Sequence, residues 1–172
     1  DFCQRVQKAV THLNSDVVVL VGDIVDSPPG KLEGVDECLG SFKAKHGVYF
    51  VTGNHEHING NVEEWLTLFR ARGLQVLENE CVPLTEFGVN VVGVTDLAAS
   101  RYGEHASDVD KALTSCGAAA AENVVLFLAH QPNHSREIVE RTTKQQVLVV
   151  SGHTHGGQVW PLTYLVALFN DQ

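Results

Sequence analysis

The chain has 172 residues, of which 44% are hydrophobic and 19% are charged, and its formal net charge is -9. This length and composition predict one folded domain with a substantial core and exclude a disordered chain. The negative charge argues against a nucleic-acid-binding protein, because phosphate binding requires a basic surface.

The first part of the chain alternates between helix and strand patterns. A helical stripe starts at Phe2 and closes at Asn14, and a β-branched apolar run over residues 16–21 predicts a strand buried on both faces. A second helix is predicted around Leu39, and a second strand follows over residues 47–51. Each strand is followed at once by glycine and polar residues.

The second part of the chain continues this alternation. Asn61 and Glu64 predict a capping box at the start of a third helix, which stops at Gly73. Gly88 is the predicted turn of a hairpin, and a long polar loop follows over residues 96–108. The remaining elements are predicted to be a helix, a strand, a helix and a strand, over residues 109–116, 124–128, around 138, and 147–150. The pattern indicates a layered α/β domain with a mixed sheet.

Four of the predicted strands end in polar side chains of metal-ligand type, namely Asp23, Asn54, His130, and His153 with His155. Ligands gather at the carboxyl ends of strands in open α/β sheets, so we expect these distant residues to meet. Each has an ordinary alternative: Asp23 as a helix N-cap, Asn54 as a turn residue, His130 as a loop histidine. Their combination favours a metal site, since carboxylates bridge cations while imidazoles and amides complete their shells.

Four blocks of the sequence, taken in order, resemble those of the calcineurin-like metallophosphoesterases. They are residues 22–26 (Gly-Asp-Ile-Val-Asp), 53–56 (Gly-Asn-His-Glu), 129–132 (Ala-His-Gln-Pro) and 152–155 (Gly-His-Thr-His). The Gly-Gly-Gln after the last block is similar to a branch that contains bacterial phosphodiesterases and an animal transmembrane protein. The resemblance covers nearly the whole chain. It implies one partial phosphoesterase domain over residues 1–172, folded as an α/β/β/α sandwich with mixed sheets.

The resemblance also implies two divalent metal ions and their ligands. Asp23 would bridge the two ions, and His155 would bind the first of them. Asn54, His130 and His153 would complete the shell of the second ion. Mixed oxygen and nitrogen ligands suit Mn, Fe, Zn or Ni, and a hydroxide activated by the metals would attack phosphorus.

The catalytic residues implied by the resemblance are His55 and Asp26. His55 would stabilise the phosphoryl oxygens and protonate the leaving alkoxide, while Asp26 would orient His55. Glu56 is expected to support its loop without binding metal. Arg101 and Tyr102, in the long polar loop, are candidates for contact with the substrate.

One block of the family pattern has no counterpart in this sequence. The family opens with an Asp-X-His block that supplies two further ligands to the first metal, whereas Asp1 is followed here by Phe2 and Cys3. We therefore expect a piece truncated at both ends that binds one metal well and the other poorly. Such a piece is expected to be weakly active or inactive by itself.

Taken together, the sequence predicts a metal-dependent phosphoester hydrolase, acting on phosphodiesters or phosphomonoesters of a small molecule or lipid headgroup. The alternative is a non-catalytic metal-binding or scaffold module, which the missing first block favours. A third class, the amidohydrolases and lactamase-like enzymes, fits less well because those folds rely on His-rich opening blocks.

Several further expectations concern the surroundings of this site. No apolar run reaches membrane-spanning length, so we expect a soluble domain here and, from the resemblance, a membrane-anchored parent. The four cysteines lack a CxxC pair and are interpreted as small buried residues of a reducing compartment. We expect His57, His105 and His134 at the surface, and residues 159–169 as a core helix or an apolar patch.

Overall fold

The computed structural model describes residues 2–31, 34–58, 61–118 and 121–155. Within these ranges the helices are α1 (Phe2–Leu13), α2 (Val35–Gly40), α3 (Asn54–Ile58), α4 (Val62–Ala71), α5 (Val109–Thr114) and α6 (His134–Arg141). The strands are β1 (Val18–Val21), β2 (Val48–Val51), β3 (Gln75–Val76), β4 (Glu80–Leu84), β5 (Val89–Gly93), β6 (Val124–Leu128) and β7 (Val147–Val150). The predicted elements occur in the predicted order, and the short helix α3 is an addition that the sequence patterns did not predict.

The described strands form two sheets. The first sheet has the order β1-β2-β3 and is parallel, with Leu20 opposite Phe50. The second has the order β4-β5-β6-β7, in which the β4–β5 hairpin is antiparallel and the later pairs are parallel, with Leu126 opposite Leu148. Parallel pairing places the carboxyl ends of β1 and β2 at one edge, and those of β6 and β7 at another.

Three hydrophobic clusters show that the two sheets stack between two layers of helices. Residues of both sheets, such as Val51 and Leu128, pack against each other in a central cluster. A second cluster joins the first sheet to α1, α2 and α4, with Trp65 and Phe69 buried in it. The third joins the second sheet to α5 and α6 through Ile138. The predicted α/β/β/α sandwich is confirmed, with one parallel and one mixed sheet among the described strands.

Local packing departs from the sequence predictions in two places. In β1 only Val18 is buried, and its other residues are half-buried, because among the described strands β1 pairs on one side only. Asn61 does precede α4, but its backbone is left-handed and its side chain makes no capping bond. Its amide instead donates to Glu64 at 3.4 Å, so the predicted capping box is wrong.

The four cysteines are paired in two disulfides, which contradicts the prediction of unpaired buried thiols. Cys3 of α1 is bonded to Cys38 of α2, with Cα atoms 6.3 Å apart. Cys81 of β4 is bonded to Cys116 just beyond α5, with Cα atoms 5.1 Å apart. Each pair spans 35 residues, so no short spacing marks it in the sequence. Disulfides persist in oxidising compartments, which argues against the reducing compartment expected above.

Two of the three histidines expected at the surface are buried. His57 is 3% exposed and bonds to Thr52 Oγ1 at 3.0 Å and to the carboxylate of Glu104. His134 is 2% exposed and bonds to Ser107 Oγ at 2.8 Å. His105 is exposed, as predicted. Both buried histidines hold the polar loop against the body of the domain, which the sequence alone does not reveal.

His134 is expected to make the chain less stable in mild acid. Burial lowers its pKa, although the charges of Asp96 and Glu137 oppose this effect. The unfolded chain therefore binds a proton more readily than the folded one, and stability falls as the pH drops below about 6.5. Urea unfolding of the wild type and of His134→Gln across the mildly acidic range measures this. The variant should lose part of the acid dependence, whereas exposed His105→Gln should keep it. Identical pH profiles for the wild type and His134→Gln would contradict the prediction.

Some expectations concern parts of the chain outside the described ranges. The packing expected of residues 159–169 lies there, as does Leu32 of the second predicted helix. Within the described ranges, none of the helices combines the length and the apolar character needed to cross a bilayer.

Candidate metal centre

Three of the predicted ligands meet at the carboxyl ends of the strands. Ligand atoms of Asp23, His130 and His153 all lie within 4.8 Å of one another. His130 Nε2 is 3.1 Å from Asp23 Oδ2 and 3.2 Å from His153 Nδ1. Two imidazole nitrogens and a carboxylate oxygen so placed could share one divalent cation. The expectation that separate strand ends converge is thus met by these three residues.

The orientation of His130 is set by a backbone carbonyl. This histidine is 1% exposed, and its Nδ1 lies 2.7 Å from the carbonyl oxygen of Val21. Nδ1 therefore donates to this carbonyl, which leaves Nε2 as the ring nitrogen that faces Asp23 and His153. A ligating histidine in proteins usually has such a second partner, which fixes its tautomer and its ring orientation.

Asn54 adds a buried acceptor to this group. Its side-chain oxygen Oδ1 is buried, and within the described part of the chain no hydrogen-bond donor reaches it. A buried amide oxygen without a donor costs free energy unless another group satisfies it. Because Asn54 begins α3 three residues after the end of β2, a cation at this edge would satisfy that oxygen. The donor set as a whole fits a divalent metal ion.

The backbone at the site adopts an uncommon conformation. Asp23, His153 and His155 have φ angles of 53°, 68° and 51°, in the left-handed region that residues with a side chain rarely adopt. Such conformations cluster at functional sites, where the surrounding structure enforces them. The sharp turn after β7 is thus made by the two histidines themselves.

Close backbone contact brings the first two ligand loops together. A Cβ atom on Gly22 would lie 2.5 Å from the Cα of Gly53, and one on Gly53 would lie 2.5 Å from the amide nitrogen of Asp23. Both positions therefore require glycine. The amide of His55 donates to Asp23 Oδ1 at 2.9 Å across the same contact.

Charge and burial shift the pKa values of the ligands in different directions. Burial would raise the pKa of Asp23, but hydrogen bonds with His130 and the amide of His55 outweigh it and lower that pKa. Burial would lower the pKa of His130, but Asp23 and the carbonyl of Val21 raise it. Burial and the neighbouring His130 lower the pKa of His153. The lowered pKa values favour ionised Asp23 and neutral His153, the forms that bind metal, whereas the raised pKa of His130 favours its protonated form.

Asp23 lines three cavities, of which one, of about 270 Å³, is apolar and the other two contain predicted site residues. The first of these two, of about 410 Å³, is lined by His130 and His153, and the second, of about 310 Å³, by His55 and Asp26. Asp23 and His155 line both cavities. His155 does not belong to the group of three converging ligands among the described residues. His55, Asp26 and His155 are exposed, so this side of Asp23 is open to solvent.

The structure also shows a buried carboxylate that the sequence did not single out. Asp96 is 1% exposed and accepts hydrogen bonds from Gln131 Nε2 at 2.9 and 3.1 Å and from the amide of Ala98 at 2.8 Å. Gln131 directly follows His130, so Asp96 fixes the segment that carries this ligand. In the sequence, the signal that could have found Asp96 was its position shortly after the end of β5, since the other predicted site residues also follow strand ends.

Arg101 and Tyr102, the proposed substrate contacts in the long loop, are exposed on a short 3-10 turn, Ala99–Tyr102. This turn packs against α3, which carries Asn54 and His55. The loop therefore borders the candidate site. Contact of either side chain with a substrate stays a prediction.

A layered α/β sandwich that gathers carboxylate, imidazole and amide groups at its strand ends provides the donor set of a divalent-metal site. The chain belongs to the calcineurin-like phosphoesterase family, because the family model matches residues 1–157. The resemblance drawn from the four sequence blocks is confirmed.

Curated relatives support this assignment. The chain is 40% identical to a transmembrane protein with metallophosphoesterase domain of Danio rerio, over 97% of the chain and 39% of that protein. It is 36% identical to a putative metallophosphoesterase of Caenorhabditis elegans, over 96% of the chain and 35% of that protein. It is also 36% identical to an uncharacterized metallophosphoesterase of Helicobacter pylori, over 98% of the chain and 43% of that protein. The chain thus spans about two fifths of these relatives.

A solved structure supports the fold independently. The sulfate thiohydrolase SoxB of Thermus thermophilus superposes with a TM-score of 0.57 at 20% sequence identity. The match covers 90% of this chain and 33% of that protein. At this identity the likeness concerns the architecture alone.

Proposed function

We propose that this chain carries the metal centre of a phosphoester hydrolase that uses two divalent ions. The observation that carries the proposal is the convergence of Asp23, His130 and His153, whose ligand atoms lie within 4.8 Å of one another. The buried Oδ1 of Asn54, which no donor among the described residues reaches, supports it, since Asn54 follows the end of the neighbouring strand. Family membership supplies the reaction class, phosphoester hydrolysis.

Each ligand has a proposed place. Asn54, His130 and His153 hold one ion, His155 holds the other, and Asp23 bridges them. The bridging role is supported by the two cavities, because Asp23 lines both of them. When bound, divalent ions in such a pair neutralise phosphoryl oxygens and lower the pKa of water. The metal is proposed to be Mn, Fe, Zn or Ni, which suit mixed oxygen and nitrogen ligands.

Two residues of the open cavity are proposed to handle substrate and proton. His55 lies on the solvent-facing side, and its amide is anchored to Asp23 Oδ1 at 2.9 Å. From there its imidazole would bind a phosphoryl oxygen and donate a proton to the leaving alkoxide. Asp26 lines the same cavity and would orient that imidazole. The substrate is proposed to be a small-molecule or lipid-headgroup phosphoester, held in this cavity of about 310 Å³.

The two metal positions are not equally supplied by this chain. The second has four proposed protein ligands, whereas the first has only Asp23 and His155. In the family pattern the other ligands come from an Asp-X-His block that this sequence does not contain. Titration of Mn²⁺ or Zn²⁺ into the chain should therefore give one tight equivalent, one weak equivalent and little turnover. Two tight equivalents together with rapid turnover would refute this part of the proposal.

Replacement of His55 by alanine should slow hydrolysis without removing the metal. General acid catalysis contributes roughly 10²–10⁴-fold, so kcat should fall within that range. The measurement uses a form of the protein that includes an Asp-X-His block, with an aryl phosphodiester and an aryl phosphomonoester as substrates. His105→Ala, at an exposed histidine of the polar loop, is the matched control and should keep full activity. Unchanged turnover in His55→Ala would exclude the proposed proton transfer.

A non-catalytic metal-binding module is the second candidate. The deficit of ligands at the first metal position favours it. The same form with an added Asp-X-His block separates the two candidates, because a scaffold would bind both metals and still hydrolyse neither substrate.

A further inference from the structure

Glu56 occupies an unusual position beside the metal centre. Its side chain is 0% exposed, although a carboxylate is rarely buried without a cationic partner. It lies in α3, one residue after His55, and its carboxylate reaches into the gap between the loop after β1 and the loop after β2. Both loops carry proposed metal ligands.

Four backbone amides donate hydrogen bonds to this carboxylate. Oε2 accepts from Asp23 N at 2.9 Å and from Gly53 N at 2.7 Å, so this single oxygen joins the two loops. Oε1 accepts from Ile24 N at 2.7 Å and from Val25 N at 3.1 Å. Each oxygen has two lone pairs, so these four bonds use the acceptor capacity of the side chain. Backbone amides therefore take up the acceptor sites of the Glu56 carboxylate, in keeping with the expectation that this residue supports its loop.

These bonds act on the backbone of the bridging residue. Asp23 has a φ of 53°, a conformation that a side-chain-bearing residue keeps only when its surroundings enforce it. Glu56 binds the amide of Asp23 and the next two amides, so three successive N–H groups point at one carboxylate. Without that acceptor these donors would be left largely unsatisfied, and the turn would rearrange to pair them.

The same turn directs the side chain of Asp23 toward its partners. Asp23 Oδ1 accepts from the amide of His55 at 2.9 Å, and Oδ2 lies 3.1 Å from His130 Nε2. The link from Oε2 to Gly53 also sets the start of α3, where Asn54 lies. One buried side chain thus determines where ligands from two different strands stand relative to each other.

We infer that Glu56 is the positioning residue of the metal centre, which holds residues 22–25 and 53–55 in the metal-binding arrangement before a metal arrives. This inference rests on the proposed function, since it assigns the purpose of the arrangement to metal binding. Glu56 does not bind the metal itself. It lowers the cost of binding by keeping Asp23 and Asn54 in place.

Glu56→Gln tests the inference with almost no change in shape. The amide retains one acceptor oxygen, and its NH₂ group faces backbone donors, so two of the four hydrogen bonds are lost. Titration of the chain with Co²⁺, followed by its visible absorption, should show affinity reduced by roughly 10–100-fold, as for other residues that orient metal ligands. Amide hydrogen exchange without added metal should be faster in the variant at Asp23, Ile24, Val25 and Gly53.

A stability control separates positioning from general weakening. Ile138 is 0% exposed in the core cluster between the second sheet and α6, and none of the described members of that cluster belongs to either loop. Ile138→Ala should lower the midpoint of thermal unfolding, yet bind Co²⁺ as tightly as the wild type well below that midpoint. Equal Co²⁺ affinity in Glu56→Gln and the wild type would overturn the inference. An equal loss of affinity in Ile138→Ala would overturn it as well.

The metal titration and the amide hydrogen exchange test different statements, so this inference can fail separately from the proposed function. A wild-type chain that binds no Co²⁺, Mn²⁺ or Zn²⁺ would refute the proposed metal centre. Amide hydrogen exchange would then still test whether Glu56 holds the two loops in place. Unchanged protection of the four amides in Glu56→Gln would refute the holding role whether or not metal binds.

Discussion

Replacement of Asp23 by asparagine is expected to remove tight metal binding from this chain. The substitution keeps the size of the side chain but removes the negative charge, and an amide cannot bridge two cations as a carboxylate does. Asp23 is the acidic member of the converging group, and its lowered pKa keeps it ionised at neutral pH. We expect the affinity for Mn²⁺ or Zn²⁺ to fall by more than the roughly 10–100-fold typical of residues outside the coordination shell. Isothermal titration calorimetry measures this loss directly.

A matched substitution on the same segment controls for the loss of a charge alone. Asp16 precedes β1, and its side chain is 76% exposed in an ion pair with Lys45 at 3.8 Å. Asp16→Asn changes the net charge by the same amount and should leave the titration unchanged. If Asp23→Asn binds metal like the wild type, Asp23 is not the bridging ligand and the proposed centre is wrong.

Reduction of the two disulfides is expected to destabilise the domain severely. Each bond closes a loop of 35 residues, for which the loss of chain entropy predicts about 4 kcal/mol of stabilisation. Two such contributions approach the whole free energy of unfolding of an ordinary domain, about 5–15 kcal/mol. For a chain of this size, each bond is expected to raise the midpoint of thermal unfolding by roughly 8–16 °C. Calorimetry with and without a reducing agent measures the shift.

Paired substitutions separate the contributions of the two disulfides to the stability of the domain. Cys3→Ala with Cys38→Ala removes the bond between α1 and α2, and Cys81→Ala with Cys116→Ala removes the bond between β4 and the end of α5. Each pair should lose part of the stability, and reduction should then affect only the bond that remains. Four free thiols in protein isolated without reductant, or equal midpoints before and after reduction, would contradict the pairing.

The sequence was most informative where structure depends on local patterns. The apolar stripe of α4 is buried as its spacing predicts, with Val62, Trp65, Leu66 and Phe69 facing the core. Helix periodicity is a property of neighbouring residues, so it survives in any tertiary setting. The short strands formed by apolar runs, and the hairpin turn at Gly88, were predictable for the same reason.

The sequence was least informative where a side chain meets a distant partner. Its four cysteines carry no spacing signal, because each disulfide joins elements 35 residues apart. The burial of His57 and His134 depends on the path of the polar loop, since their partners Glu104 and Ser107 lie in that loop. The role of Asp96 was unpredictable for the same reason, because its partner Gln131 follows a different strand.

By itself, the sequence determined the set of groups that could bind metal and their position after four strands. It also assigned the family, through blocks that are local and ordered. Only the tertiary structure decided that Asp23, His130 and His153 converge, because this requires the edges of two separate sheets to meet where His130 bonds to the carbonyl of Val21. It also decided what keeps them there, since a buried Glu56 can hold two loops only after β1 and β2 have paired side by side.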